Sequence, residues 1–256
     1  RGLEIVSCPS CGRAQVDVDA AAGMDRVRGG VDQVAVGGEQ VVRELLRDRA
    51  DDDHPGYLFA DESYSWREVV ARSADRGALI ASLLDATRPP HIGVLLDNVP
   101  EYLFWAGGAA LVGATIVGIN PTRRGAELAG DIAHTHCQVL VSDSAHADLL
   151  PADAHVILID SPGYRDLLAP HRGAPLPTHD PAPETLAFLL FTSGSTSAPK
   201  AVRCTNGRMG MTGIRAAAGY GVNRADVSYC PMPLFHGNAL MACWAPSLAT
   251  GATVVL

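Results

Sequence analysis

Cysteine is scarce in this sequence. Six cysteines among 256 residues are too few for a disulfide-stabilised scaffold of this length. They are Cys8, Cys11, Cys137, Cys204, Cys230 and Cys243. The first residues do not have the pattern of a secretory signal, and we expect none. We therefore expect a reducing, cytoplasmic compartment.

Positive charge is also in short supply. Lysine and arginine together number 20, against 28 aspartate and glutamate residues, and the net charge is −8 at pH 7. An acidic chain is poorly suited to binding the phosphates of a nucleic acid. Arg123 and Arg124 form the only short basic cluster, and two arginines on a loop are typical of solvated surface. We predict no nucleic-acid partner.

Long apolar runs are almost absent. One charge-free stretch covers residues 102–119, and its 18 residues just reach the length of a membrane-spanning helix. Glycine and alanine fill its middle, and Gly113 separates a helix-like half from the β-branched sequence ATIVGI. This pattern predicts a buried helix followed by a buried strand. The sequence thus predicts no transmembrane segment and leaves peripheral contact with a membrane open.

The amino-terminal region differs in character from the rest. The chain begins with Arg1 and its first methionine is Met24, so we expect that its start is not the native one. Residues 1–18 form a cysteine-containing head, and residues 19–37 are rich in Gly, Ala, Asp and Val, which is typical of a linker. The remaining residues, 38–256, are predicted to form one large domain.

Within that domain, predicted helices and strands alternate. Helices are expected at 39–50, 65–84, 100–112 and 125–136, with a helical stub at 145–150. Strands are expected at 57–60, 91–96, 114–119, 138–142, 155–160, 186–191, 201–205, 226–235 and 252–256, and a helix is expected on each side of the strand at 226–235. Residues 61–64 are expected to form a turn, and Ser65 with Glu68 has the spacing of a capping box. Most strands are continuous apolar runs. This alternation predicts an α/β fold with mostly parallel sheets flanked by helices.

The sequence FTSGSTSAPK, residues 191–200, has the composition of a phosphate-binding loop. An apolar strand leads into it, Gly194 can adopt backbone angles that side chains forbid, and successive amides in such a turn can bind an anion. The spacing of a Walker loop is absent. A polar surface turn with a solvated lysine is the alternative. The candidate phosphate-binding residues are Thr192, Ser193, Gly194, Ser195, Thr196, Ser197 and Lys200.

This loop closely resembles the signature loop of the adenylate-forming enzymes, the acyl-CoA synthetase superfamily. Ser197 replaces the usual second glycine of that loop. Residues 93–143 resemble an early segment of the same family, and PLFHGNAL at 233–240 resembles a later motif that lies beside the acyl pocket. The three blocks occur in the family's order. The resemblance implies that residues 38–256 are an incomplete N-terminal AMP-binding domain of the adenylate-forming fold.

The resemblance is closest to the fatty-acid–CoA ligases. It implies two steps: ATP and a carboxylic acid, expected to be a fatty acid, give an acyl-adenylate and pyrophosphate, and coenzyme A then displaces AMP to form a thioester. ATP, Mg²⁺ and coenzyme A are the implied cofactors and co-substrates. Lys200 would stabilise the charged phosphates as a catalytic residue.

His236, within the 233–240 motif, would act near the acyl carboxylate or gate its pocket. A structural role at a strand-to-helix turn, such as capping the helix, is the alternative. Asn120 and Arg123 are expected to be structural turn residues.

Members of the family are much longer than this chain. Their ribose-binding acidic residue, their hinge and their C-terminal lid with a second lysine follow the position where this sequence stops. We therefore expect that the 256-residue chain alone does not form an acyl-adenylate. A non-catalytic nucleotide- or acyl-binding module is a further alternative.

The head suggests another origin. Cys8 and Cys11 form a C-x-x-C pair, and residues 1–18 resemble a cluster-binding segment of the iron–sulfur enzyme hydroxymethylbutenyl diphosphate synthase. The third cysteine and the glutamate of that family are not recognisable downstream. A remnant of that enzyme is an alternative function, but a joined reading frame explains the head better than a bifunctional protein. We predict no metal ligands and no native cluster at this pair.

Overall fold

Helices and strands alternate along the computed structural model, which describes residues 41–178, 181–191 and 201–256. These residues belong to one compact unit. In chain order the elements are α1 (Val42–Arg47), β1 (Pro55–Phe59), β2 (Glu62–Ser65), α2 (Trp66–Leu83), β3 (His91–Leu95), α3 (Pro100–Val112), β4 (Thr115–Gly118), α4 (Gly125–His134), β5 (Val139–Ser142), β6 (Val156–Leu158), α5 (Pro162–Leu168), β7 (Leu186–Phe191), β8 (Ala201–Thr205), α6 (Asn206–Tyr220), β9 (Val227–Tyr229), α7 (Gly237–Ala239), α8 (Ala245–Thr250) and β10 (Thr253–Val255). Short 3₁₀ turns lie at Ala147–Leu149 and Ala169–His171, and a π-helix at Leu240–Trp244 joins α7 to α8.

The larger sheet has six strands in the order β6-β5-β3-β4-β7-β8. All neighbouring pairs are parallel except β7 and β8, which are antiparallel. The apolar strands of its centre are buried on both faces, which explains why their sequences are continuous apolar runs. The predicted α/β fold with mostly parallel, helix-flanked sheets is confirmed.

A smaller sheet has the order β2-β1-β10-β9. Strands β1, β10 and β9 are parallel, and β2 pairs with β1 as an antiparallel hairpin. The strands of this sheet come from both ends of the described sequence. Strands β1 and β2 precede the larger sheet in the chain, whereas β9 and β10 follow it.

Side chains on the two faces of the larger sheet contact different helices. Ile92, Val94, Ile116 and Phe188 belong to a core that contains α2 and α3. Side chains at the alternate positions of the strands, among them Leu95, Val117 and Leu140, point to the other face and pack with Leu128 and Ile132 of α4. The helices that follow the adjacent strands β3 and β4 therefore cover opposite faces of the sheet.

Helices α2 and α3 pack at very short distance. A methyl group at Gly108 would lie 2.7 Å from the backbone oxygen of Ser73 and 2.7 Å from the backbone nitrogen of Gly77. The predicted capping box begins α2: the Ser65 hydroxyl accepts from Glu68 N at 3.2 Å, and Ser65 N donates to the Glu68 carboxylate at 2.8 Å. Local sequence thus sets where α2 begins, and the glycine sets how closely α3 approaches it.

The charge-free run at 102–119 divides as predicted into the buried helix α3 and the buried strand β4. Gly113 ends α3 with φ of 76°, a left-handed conformation that favours glycine. Within the described ranges, no helix is both long enough and apolar enough to cross a membrane.

Two local predictions were wrong. Residues 61–64 were expected to form a turn, but Glu62–Ser65 is strand β2, and the hairpin turns at Ala60, whose φ is 50°. The strand expected at 226–235 ends at Tyr229, because Pro231 and Pro233 have no N–H to donate to a neighbouring strand. Helix α5 lies in a region for which no helix was predicted.

The predicted head (1–18) and linker (19–37) lie outside the described residues, as do Cys8 and Cys11. Their assignment stays a prediction. The other four cysteines, Cys137, Cys204, Cys230 and Cys243, are free thiols.

Candidate functional site

The carboxyl ends of β3, β4 and β7 meet at one edge of the larger sheet, because these strands are parallel and adjacent. The helices after β3 and β4 cover opposite faces, so a crevice opens between the two connections. Ligands of open α/β sheets bind at such a point. This edge is the candidate functional site.

The predicted phosphate loop connects two strands that are held in register. Phe191 at the end of β7 pairs with Ala201 at the start of β8, and nine residues join them. The candidate residues Thr192, Ser193, Gly194, Ser195, Thr196, Ser197 and Lys200 lie outside the described residues, so their contacts stay predictions. The structure fixes where the loop leaves the sheet and where it returns.

His236 lies at the same edge, in the turn before α7. It is half-buried, and its ring is 4.7 Å from the ring of Phe235. His236 N donates to the Pro233 carbonyl at 2.9 Å, and the His236 carbonyl accepts from Ala239 N at 3.1 Å. It occupies the N-cap position of α7, yet its side chain makes no capping hydrogen bond. The imidazole is therefore not used to cap the helix, and its role in substrate binding stays a prediction.

The segment that carries His236 packs directly on the sheet. A methyl group at Gly118, the last residue of β4, would lie 2.9 Å from the Phe235 carbonyl oxygen and 3.2 Å from a methyl of Leu190. A methyl group at Gly237 would lie 3.4 Å from the other methyl of Leu190. Leu190 immediately precedes Phe191, where the loop begins. The structure thus brings residues 235–237 next to the start of the predicted phosphate loop.

Asn98, just beyond β3, fixes the approach to this segment. Its side-chain nitrogen donates to the carbonyls of Cys230 at 3.1 Å and Met232 at 2.9 Å, and its oxygen accepts from Leu234 N at 2.9 Å. One side-chain amide thus makes hydrogen bonds to three backbone groups of this segment. Sequence reasoning missed this residue, because its partners lie more than 130 positions away.

The two turn residues near the end of β4 have the structural roles that were expected. The Asn120 side chain accepts from Thr122 N at 2.9 Å and from its hydroxyl at 2.8 Å. Arg123 lies 2.6 Å from a carboxylate oxygen of Asp131, whose pKa is raised chiefly by burial. Both residues organise the turn into α4.

Metal ligands are not assembled among the described residues of this edge. Across residues 41–178, 181–191 and 201–256, no group of three or more His, Cys, Asp or Glu side chains could hold a metal ion. The described site therefore consists of backbone, amide, imidazole and apolar groups.

A mostly parallel sheet with a hydroxyl-rich loop at the carboxyl end of one of its inner strands is typical of nucleotide-binding α/β proteins. Comparison with protein families identifies which family of nucleotide-binding proteins the chain resembles. The model of the AMP-binding enzyme family matches residues 29–256. The chain belongs to the AMP-binding enzymes, which confirms the resemblance noted from the loop and its flanking blocks.

Two curated relatives illustrate the similarity. The chain is 50% identical over 223 residues to steroid-22-oyl-CoA synthetase of Rhodococcus jostii (strain RHA1), with 84% of this chain and 40% of that protein covered. It is 39% identical over 215 residues to the medium/long-chain-fatty-acid–CoA ligase FadD17 of Mycobacterium tuberculosis (strain ATCC 25618 / H37Rv), with 84% of this chain and 43% of that protein covered. The chain thus spans less than half the length of these relatives.

A solved structure agrees with the fold. The crystal structure of VinN superposes with a TM-score of 0.76 at 27% sequence identity, over 85% of this chain and 56% of that one. The iron–sulfur alternative has no such support, since Cys8 and Cys11 lie outside the matched residues 29–256.

Proposed function

We propose that this chain serves in the ATP-dependent activation of a hydrophobic carboxylic acid, by way of an acyl-adenylate, to a coenzyme A thioester. The carboxylate oxygen of the acid attacks the α-phosphorus of ATP, and the bond to pyrophosphate breaks. The thiol of coenzyme A then attacks the acyl carbon, AMP leaves, and the thiol proton is released. One acid, one ATP and one coenzyme A give one thioester, AMP and pyrophosphate.

The observation that carries the proposal is that residues 235–237 pack beside the end of β7, the strand from which the predicted phosphate loop starts. The loop of residues 192–200 leaves β7 beside Leu190, and residues 235–237 pack on Leu190 and Gly118. A phosphate-binding loop and an acyl-binding segment must be adjacent if a carboxylate is to attack an α-phosphate, because reacting atoms have to approach to about 3–3.5 Å.

In this proposal the loop binds the negatively charged phosphates of ATP. Its hydroxyls, amides and Lys200 bind the phosphates and stabilise the departing pyrophosphate. His236 contacts the acyl carboxylate or closes the mouth of its pocket. Magnesium bound to ATP would further screen the phosphates, and the described residues supply no ligand cluster for it. We place the reaction in the cytoplasm, where ATP and coenzyme A are available.

The relatives narrow the acid to two chemical classes. One relative is named for a steroid-22-oyl substrate and the other for medium- and long-chain fatty acids. The higher identity favours a steroid side-chain acid as the substrate, and a fatty acid is the alternative. Both are large, apolar monocarboxylates.

Binding can be tested on the 256-residue chain itself, because Lys200 is its only lysine. Reductive ¹³C-methylation labels that amine and the α-amino group, which gives two resolved NMR signals. A non-hydrolysable acyl-adenylate analogue is expected to shift the Lys200 signal saturably and to leave the α-amino signal unchanged. Lys200→Ala should weaken binding of the analogue about tenfold or more. Absence of any saturable shift would contradict the nucleotide role of the loop.

Turnover can be tested in a chimera. Residues 41–256 replace the matching segment of the Rhodococcus relative, and pyrophosphate release is measured with a steroid acid and with a fatty acid. Lys200→Ala is expected to lower the rate by about 10²–10³-fold, as loss of a charge-stabilising donor does. Binding without turnover in a correctly folded chimera would favour a non-catalytic binding module. Equal rates for Lys200→Ala and the parent chimera would remove Lys200 from the mechanism.

A further inference from the structure

A cavity lies between α2 and the region of α5, away from the described residues of the sheet-edge site. Its volume is about 490 Å³. Its lining residues come from 68–76 on α2 and from 159–173, and none comes from 192–200 or 233–240. Four arginines line it: Arg72, Arg76, Arg165 and Arg172. This concentration of positive charge is unexpected in a chain with a net charge of −8.

The carboxylates of the cavity are already committed to other partners. Glu68 accepts from the amide and hydroxyl of Ser65 at the start of α2. Asp75 accepts from the backbone amides of Gly173 at 2.8 Å and Ala174 at 3.3 Å. These contacts tie the two acidic side chains to backbone positions, so neither pairs with an arginine of the cavity.

One of the four arginines, Arg76, is paired with a carboxylate and forms the floor of the cavity. Arg76 donates to both oxygens of Glu101, at 2.8 Å from Nε and 2.7 Å from Nη2, and its side chain is 5% exposed. Tyr164 donates its hydroxyl to the same Glu101 carboxylate. The Glu101 carboxylate therefore offsets the charge of Arg76.

The other three arginines have no carboxylate within 4.0 Å in the described part of the chain. Arg72 is held in place without an acidic partner, because its guanidinium lies 4.8 Å from the centre of the Tyr64 ring and 5.7 Å from that of Phe104. Contact with ring faces leaves the N–H groups at the edge of the guanidinium free to donate. Arg165 and Arg172 face the same cavity from α5 and the turn after it.

Apolar groups complete the wall. Ile159, Leu168 and the Tyr164 ring line the cavity beside the arginines. A cavity with an apolar wall and a few convergent polar groups is typical of small-molecule sites. Three unneutralised guanidinium groups match the charge of a phosphate or diphosphate group better than that of a single carboxylate, and their N–H forks fit phosphate oxygens.

We propose that this cavity binds a small molecule that carries a phosphate or diphosphate group, at a site independent of the loop 192–200. Arg72, Arg165 and Arg172 neutralise the phosphate, and Ile159, Leu168 and Tyr164 contact the remainder of the ligand. The site goes beyond the proposed ligase function and does not depend on it.

Inorganic pyrophosphate is the probe, and the 256-residue chain with Lys200→Ala is the protein, so that the predicted ATP loop does not contribute. Isothermal titration calorimetry at low salt should give one saturable site. Arg72→Ala, Arg165→Ala and Arg172→Ala should each weaken binding about tenfold. Arg215→Ala, at an exposed arginine of α6, is the matched control and should leave the affinity unchanged. Thermal melting verifies that each variant is folded.

Two outcomes would overturn the proposal. The first is no saturable binding of pyrophosphate in the folded Lys200→Ala chain. The second is binding that falls equally in the Arg215→Ala control, because this would show a general charge effect. The Lys200 methyl signal tests the ligase loop separately. Loss of that signal's response with retained pyrophosphate binding would contradict the proposed function and leave the second site standing.

Discussion

Asn98 and Leu234 are joined by a hydrogen bond of 2.9 Å between the Leu234 amide and the Asn98 side-chain oxygen, across 136 positions of sequence. With the two bonds to Cys230 and Met232, it ties the end of β3 to the segment that leads to His236. The candidate site is therefore positioned in part by Asn98, a residue of the 93–143 segment that lies outside both the loop 191–200 and the 233–240 motif.

Asn98→Asp should loosen the 230–234 segment, because a carboxylate retains the acceptor for Leu234 N but loses both donors. Asn98→Ala removes all three bonds. We expect the acyl-adenylate analogue to bind about tenfold more weakly to either variant, and the free energy of unfolding to fall by about 1–3 kcal/mol for Asn98→Ala. Calorimetric titration and urea unfolding measure the two effects. Asn223→Ala, in an exposed turn, is the control.

Gly118→Ala should displace the segment that carries His236. The added methyl group would lie 2.9 Å from the Phe235 carbonyl oxygen, and that atom belongs to the backbone, so the segment has to move. We expect weaker binding of the acyl-adenylate analogue and a loss of about 1–3 kcal/mol in stability. Gly130→Ala in α4, where nothing lies within 4 Å, should not destabilise the protein. Equal effects of the two substitutions would refute this role for Gly118.

Glu101→Gln should destabilise the protein strongly, because it leaves the Arg76 charge buried without a counterion. The Arg76 and Glu101 side chains are 5% and 16% exposed. Breaking one side of a buried pair costs about 3–5 kcal/mol. Glu127→Gln is the matched control: Glu127 is 71% exposed and 3.8 Å from Arg123, so its loss should cost less than about 1 kcal/mol. Chemical unfolding of both variants measures the difference.

Asp52 should make the stability depend on pH. Arg224 donates to both of its oxygens at 2.5 Å, and this contact holds the pKa of the carboxyl well below its usual range. The folded state thus favours the ionised form. Its contribution of about 2 kcal/mol is complete above the unfolded pKa near 4 and is lost as the pH falls further.

The measurement compares the unfolding free energies of the parent and Asp52→Asn from neutral pH downward. The gap between them should be widest at neutral pH and should narrow below about pH 4. Asp61→Asn, at an exposed position in the β1–β2 turn, should give no such gap. A gap that is independent of pH would mean that Asp52 acts through packing and not through its charge.

Local sequence predicted most of the elements because their causes are local. The capping box at Ser65 sets the start of α2, and Gly113 ends α3. Strand β7 was predicted with its observed bounds, since its apolar run is uninterrupted. Strand β2 was missed because it is a half-exposed edge strand whose sequence, ESYS, has no apolar run.

The site itself could be predicted only in part. The loop 192–200 and His236 are recognisable as motifs, but Asn98 and Gly118 contact Leu234 and Phe235, which lie more than 110 positions away in the sequence. The antiparallel direction of β8 is likewise a property of the assembled sheet. No periodicity within a short window encodes such contacts, so they emerge only when the chain is folded.

The π-helix at Leu240–Trp244 lies within one continuous helical segment, between α7 and α8. A π-turn accommodates one more residue than an α-turn, and each residue of an α-helix rotates the chain by about 100°. Trp244 is held in place by a hydrogen bond, in which its indole N–H donates to the Tyr57 hydroxyl at 2.9 Å. Deleting one residue from this stretch would therefore close it into a regular α-helix and turn residues 236–239 away from Gly118 and Leu190. The extra residue changes the angular relationship along the helix, so that the end held by Trp244 and the end that carries His236 each keep their own orientation.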